Sequence, residues 1–226
     1  LYASTAILAA LLHRGTSGAG QYIDLGLLDV QIASLANQSM NYLVSGSAPR
    51  RMGNAHPNIV PYQDFPTSDG GAIVTAGNDA QFARLCEALG RPEWCADERF
   101  ARNDARIAHR NELVAAIGAR TRTFATADLI ARLDAAGVPC GPINTIAETF
   151  ADPQVAARGL AVPMRRADGT PVTLVANPIV FSQTPVSYRL PPPALGADTA
   201  SVLAERLGLD AATIAGLAGA GVVELG

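Results

Sequence analysis

Blocks of apolar residues at helical and strand spacing, separated by runs of glycine, proline and asparagine, divide this chain into alternating helices and short strands. Leu1 to Leu12 (LYASTAILAALL) is apolar almost all the way round, which predicts a helix buried on several sides. The run is too short to span a bilayer, and neither a basic flank nor a small-residue cleavage site marks a signal peptide. We therefore expect its packing partners upstream, with Leu1 the cut edge of a longer protein. His13 to Gln21 is a glycine-rich stop. Tyr22 to Leu25 then predicts a short strand and Leu27 to Leu43 a second helix.

Ala72 to Ala76 predicts a buried strand. A helix follows over Asp79 to Leu89, with Asp79 as N-cap and Phe82, Leu85 and Leu89 on its inner face. Asn111 to Arg122 and Thr126 to Ala136 predict two further helices, the second capped by Thr126 and ended by Gly137. Val138 to Ile143 is held extended by its prolines. Ile146 to Phe150 and Pro153 to Arg158 predict short helices, and Leu160 to Arg165 with Val172 to Ala176 a hairpin across Ala167-Asp168-Gly169-Thr170. The stiff connector Tyr188 to Pro193 leads to two closing helices, Thr199 to Leu207 and Ala211 to Leu217.

The polar stretch between the second helix and the first buried strand changes this picture. Arg51 to Phe65 packs two asparagines, a histidine, a tyrosine, a glutamine and two prolines between apolar elements. Proline fixes its own φ and biases its predecessor away from helix, so Ala55-His56-Pro57 and Val60-Pro61 stiffen the chain where it is most polar. That is the composition of a binding loop. Asn54, His56, Pro57, Asn58, Tyr62 and Gln63 are its candidate substrate-binding residues: Pro57 stiffens the loop, and the others are preorganised donors suited to a carboxylate, or to the oxyanion formed when a thioester carbonyl is attacked. The loop contains no nucleophile.

Composition excludes several classes. With 49% hydrophobic and 16% charged residues, the 226-residue chain can bury a core. All 17 basic residues are arginine, so a lysine Schiff base is excluded within this chain. A net charge of −3 with scattered arginines offers no basic face to nucleic acid and no basic amphipathic helix to a membrane. Three cysteines, Cys86, Cys95 and Cys140, fit neither a disulfide framework nor a zinc site, and a reducing cytoplasm is the expected compartment. Cys140, between two glycine-proline turns, reads as a small apolar residue rather than a nucleophile.

Catalytic motifs are absent. Gly15-Thr16-Ser17-Gly18-Ala19 fails the nucleophile elbow at its last position, and Gly15, Gly18 and Gly20 fail the dinucleotide fingerprint because they follow a helix. His13, His56 and His109 show no metal spacing. Asp24 and Asp29 read as turn and cap residues rather than a catalytic carboxylate pair.

Several segments in order along the chain resemble class III CoA-transferases, the CaiB/BaiF family. They are Ala10 to Arg14 with Gly18 to Asp24, the Gly53 to Phe65 loop with Asp69-Gly70, Gly137 to Asn144 with Asp152 to Val155 and Arg158-Gly159, and Leu195-Gly196 with Leu203 and Leu207-Gly208. The resemblance implies an α/β protein: part of a Rossmann-like large domain plus an inserted smaller α/β domain, in an interlocked-dimer family. By analogy, residues 1–65 supply a large-domain portion and the polar loop, 66–188 the small domain, and 189–226 the return to the large domain.

The family's catalytic group is an aspartate that attacks an acyl-CoA thioester, giving a mixed anhydride and then a thioester on the aspartate. That residue is expected upstream of Leu1, so no catalytic residue is assigned within this chain, and the fragment alone is expected to be inactive. The implied partners are acyl-CoA, a small carboxylic acid, the missing N-terminal portion and a second subunit. No cofactor is implied beyond the CoA thioester as substrate. Where relatives carry a glycine-rich loop, this chain has His56-Pro57-Asn58-Ile59, whose stiffer, more polar walls most resemble the branch acting on succinyl-CoA and dicarboxylic acids. The same fold hosts α-methylacyl-CoA racemases, and a non-catalytic acyl-CoA-binding subunit is a third alternative.

Overall fold

The computed structural model describes residues 1–226 and is a mixed α/β protein. The chain divides into two compact units, Leu1–Gly141 and Pro142–Gly226. No helix is long and apolar enough to cross a membrane.

The first unit begins with three helices, α1 (Tyr2–Ser17), α2 (Leu27–Ala33) and α3 (Asn37–Ser45). Helix α1 runs past His13 and stops at Gly18, whose φ of 74° no branched side chain adopts comfortably. Its expected burial is not seen: Leu1, Leu8 and Leu12 are exposed and α1 has no buried residue. Nor is Tyr22–Leu25 a strand, since residues 18–26 carry no regular structure. The helix expected over Leu27–Leu43 is broken at Ser34-Leu35-Ala36, where Ala36 takes a φ of 49°, a conformation incompatible with helix continuation.

The polar loop leads into β1 (Tyr62–Pro66), a strand not foreseen because its alternation is hidden among polar residues. It pairs antiparallel with β2 (Gly71–Thr75), Tyr62 opposite Thr75 and Phe65 opposite Ala72. Five helices follow: α4 (Asp79–Ala88), α5 (Glu93–Ala96), α6 (Asn103–Ala108), α7 (Arg110–Thr121) and α8 (Thr126–Ala135); β3 (Cys140–Pro142) then completes a sheet of order β1-β2-β3. Phe65, Val74, Phe82, Leu85, Leu89, Leu113, Ile117, Leu129 and Leu133 form one core between sheet and helices. Each such side chain contributes about 1.5–3 kcal/mol by leaving water.

Two caps differ from expectation. Asn78, not Asp79, is the N-cap of α4, its side chain accepting from Gln81 N. This leaves Asp79 free to pair with Arg106. Helix α8 starts at Thr126 behind Ala125, and its exposed amide is capped from another element: Asp69 Oδ1, in the β1–β2 turn, accepts from Thr126 N at 2.8 Å and Oγ1 at 2.7 Å.

In the second unit, α9 (Ile146–Ala151) carries a Thr145–Glu148 capping box, and α10 (Pro153–Ala157) is capped by Asp152 with Pro153 in its first turn. The hairpin forms as β4 (Ala161–Arg165) and β5 (Pro171–Val175), with Gly169 at a φ of 84° in its turn. Helices α11 (Thr199–Leu207) and α12 (Ala211–Gly219) close the chain, Ile214 being the buried member of this unit.

Candidate functional site

The proline-stiffened loop is held to the first unit by its backbone. His56 N donates to Tyr62 O at 2.9 Å, and Ala76 N to Pro61 O at 2.8 Å, which ties the loop to the edge of β2. From the helical side, Asn103 grips the loop at two points, its Nδ2 donating to Asn58 O at 2.9 Å and its Oδ1 accepting from Val60 N at 3.1 Å. Arg106, fully buried, donates from Nε to Val60 O at 2.6 Å, from Nη1 to Phe100 O at 2.9 Å and from Nη2 to Asp79 at 2.8 Å, with its guanidinium over the Phe82 ring. Arg110 Nη2 donates to the carbonyls of His56 at 2.9 Å and Pro57 at 2.8 Å.

Sequence reasoning missed these three residues. Their spacing of three and four positions was the available signal, since it places them on one side of consecutive helical turns. Burial draws the Arg110 guanidinium below its ordinary pKa.

Of the predicted binding residues, the structure brings four together. The His56 and Tyr62 rings stack with centroids 5.3 Å apart and planes 13° from parallel. Asn58 N donates to His56 Nδ1 at 3.1 Å, so a neutral His56 carries its proton on Nε2. Asn58 Nδ2 donates to Asn41 Oδ1 on α3. A cleft of about 520 Å3 opens between α3 and the loop, lined by Asn41, Val44, Arg50, Met52, Pro57 and Asn58 among others. Beside it lies an apolar hollow of about 380 Å3 lined by Ile32, Leu35, Tyr42 and Leu43. Gln38 borders both, and its Oε1 is buried without a hydrogen-bond partner.

The other two sit apart. Asn54 is exposed in the turn closed by Ala55 N to Met52 O, and Gln63 follows Tyr62 on β1, on the strand face that carries buried Phe65. Cys140 is partly buried and burial raises its thiol pKa, which fits a packing role.

The structure is thus an α/β scaffold that presents neutral donors of the loop beside a cleft of small-molecule size. The sequence pattern of CoA-transferase family III matches residues 1–199, and the chain belongs to that family. It is 53% identical over 205 residues to the succinate–glutarate CoA-transferase of Agrobacterium fabrum, covering 91% of this chain and 51% of that one. It is 37% identical over 224 residues to the human succinyl-CoA:glutarate CoA-transferase, covering 99% and 51% respectively. Its fold matches the crystal structure of a CaiB/BaiF family protein from Brucella suis with a TM-score of 0.72 at 46% identity, over 90% of this chain and 53% of the other. The chain spans about half the length of the relatives it matches.

Proposed function

We propose that this chain forms the substrate loop and scaffold of an enzyme that moves CoA between an acyl-CoA thioester and a dicarboxylic acid. The observation that carries this reading is the 53% identity to a succinate–glutarate CoA-transferase. An aspartate outside these residues attacks the thioester carbonyl and expels CoA thiolate, leaving a mixed anhydride. The thiolate then attacks the aspartyl carbonyl, releases the first acid and leaves an aspartyl thioester. The carboxylate of the incoming acid attacks that carbonyl and expels the thiolate, forming a second mixed anhydride; the thiolate then attacks the acyl carbonyl of this anhydride, releasing the new acyl-CoA and the free aspartate.

In this scheme His56 Nε2–H and the second Nδ2 hydrogen of Asn58 serve as donors to the substrate carboxylate or to the oxyanion, with Tyr62 backing the imidazole, while Asn54 and Gln63, expected in the same role, lie outside this cluster. The cleft is of a size to hold a short dicarboxylic acid, and the polar side chains of the loop beside it favour such a substrate over the branched chain of a racemase substrate. The reading includes a cytoplasmic homodimer with no cofactor beyond the CoA thioester, and a large domain built from residues 1–65 and 189–226 around a small domain of 66–188. The exposed apolar faces of α1–α3 and α11 support the contribution of both chain ends to a larger body.

The test is incubation of the full-length protein with succinyl-CoA and a panel of acids in heavy water. CoA exchange onto a dicarboxylic acid is the expected result. Washout of the α-proton without exchange identifies a racemase, and neither reaction identifies a binding subunit.

A further inference from the structure

We propose that Arg110 is a positioning residue for His56, holding its ring as the Nε2–H tautomer through the Pro57–Asn58 peptide. This rests on the reading of the loop as substrate-facing. One peptide unit makes both connections. Its carbonyl, on Pro57, accepts from Arg110 Nη2 at 2.8 Å, and its N–H, on Asn58, donates to His56 Nδ1 at 3.1 Å. A cation at the carbonyl oxygen draws electron density from the amide nitrogen and strengthens its N–H as a donor, so the two bonds reinforce each other. An N–H aimed at Nδ1 leaves the ring proton on Nε2. The same Nη2 also holds the His56 carbonyl, which fixes the backbone from which the ring projects.

The remaining bonds of Arg110 support a directed role. Its hydrogen bonds go to carbonyls rather than to a carboxylate, and Nη1 is buried without a partner. A guanidinium placed only to fill space gains little from that arrangement, because its desolvation is offset by two bonds alone. Both land at the imidazole's own backbone, on the carbonyls of His56 and of the next residue, Pro57. Asn103 provides the contrast: it grips Asn58 and Val60 through neutral bonds and adds no charge to the Pro57–Asn58 peptide.

The experiment uses the full-length protein labelled with 15N-histidine, in wild-type, Arg110→Met, Arg110→Lys and Asn103→Ala forms. Long-range 15N–1H correlation reports the His56 tautomer, and CoA exchange reports turnover. The expected wild-type signal is a single Nε2–H tautomer. Arg110→Met is expected to give mixed tautomers and a turnover loss of about ten- to a hundredfold, with the KM for acyl-CoA little changed. Lysine restores part of both, Asn103→Ala keeps the tautomer, and retained amide protection at Val74 and Leu129 verifies folding. A wild-type Nδ1–H tautomer, an unchanged tautomer in Arg110→Met, or an equal loss of it in Asn103→Ala overturns the assignment. Should the wild-type protein transfer CoA to no acid, the functional reading fails, while the ring spectrum still decides the role of Arg110.

Discussion

Replacing Arg106 with methionine tests whether this buried cation acts through its ion pair or through the carbonyls it serves. Methionine keeps the unbranched stem against Phe82 but removes every donor. Two buried acceptors, Val60 O and Phe100 O, are then stranded; their residues are 0% and 3% exposed. A stranded buried carbonyl costs about 1–3 kcal/mol, and relief of the guanidinium's own desolvation offsets part of that. Asp79, with 56% of its side chain exposed, rehydrates at little cost. The net expectation is a loss of about 2–5 kcal/mol for Arg106→Met. Asp79→Asn retains an amide oxygen as acceptor and removes only a screened charge, so its loss is expected below about 1 kcal/mol. Urea unfolding of the full-length variants, followed by far-ultraviolet circular dichroism, separates the two as midpoint shifts at constant slope. Equal losses in both variants would refute the reasoning, because the ion pair and not the carbonyls would then carry the energy.

Other substitutions probe the site and the caps. His56→Ala in the full-length enzyme is expected to lower CoA transfer about ten- to a thousandfold with folding retained, and unchanged kinetics with every acid tested would remove His56 from the site. Asp69 is held below the ordinary aspartate value of 3.8, first by the Thr126 hydroxyl and then by the Thr126 amide. Its stabilising contribution is therefore complete above that value and lost as pH falls through the lower folded pKa. Asp69→Asn should flatten the acid limb of the melting profile, and an unaltered profile counts against this link. In the second unit, Gly196 has a φ of 78°, and an added Cβ would lie 2.8 Å from Glu224 O. Gly196→Ala is expected to cost at least about 1–3 kcal/mol, whereas Gly208→Ala, with open space around it, should cost less. Equal midpoint shifts in the two would show that backbone strain and not the collision decides.

The helices expected over Asp79–Leu89, Asn111–Arg122 and Thr126–Ala136 were legible because their apolar spacing coincides with real burial, Phe82, Leu85, Leu113, Ile117, Leu129 and Leu133 all facing the core, whereas the short α5 and α6 were not foreseen. The hairpin at Ala161–Val175 was legible from its Asp-Gly turn. Local pattern failed where a partner outside the segment decides. Hydrophobicity placed Leu1–Leu12 inside, yet nothing in the first unit covers it. The break at Ala36 carries no glycine or proline to announce it. The α8 cap was misassigned because Asp69 reaches Thr126 across 57 positions of sequence. For the loop, composition identified the polar cluster around His56, but its anchors on α6 and α7 lie more than forty residues away, and only the packed chain joins them.

Two Asp-Gly tips that look alike in the sequence differ in what hangs from them. At Asp168-Gly169 the carboxylate accepts from Thr170 N, inside its own turn, so no helix start depends on it, although Ala167 and Asp168 share a cavity of about 480 Å3 with the Leu190–Ala194 segment. At Asp69-Gly70 the carboxylate starts a distant helix, and a methyl group on Gly70 would sit 3.2 Å from the Thr126 hydroxyl. An insertion there would unseat α8, and with it Leu129 and Leu133 from the interior. Of the two tips, the one at Asp69-Gly70 is the one to leave intact when this protein is labelled or split.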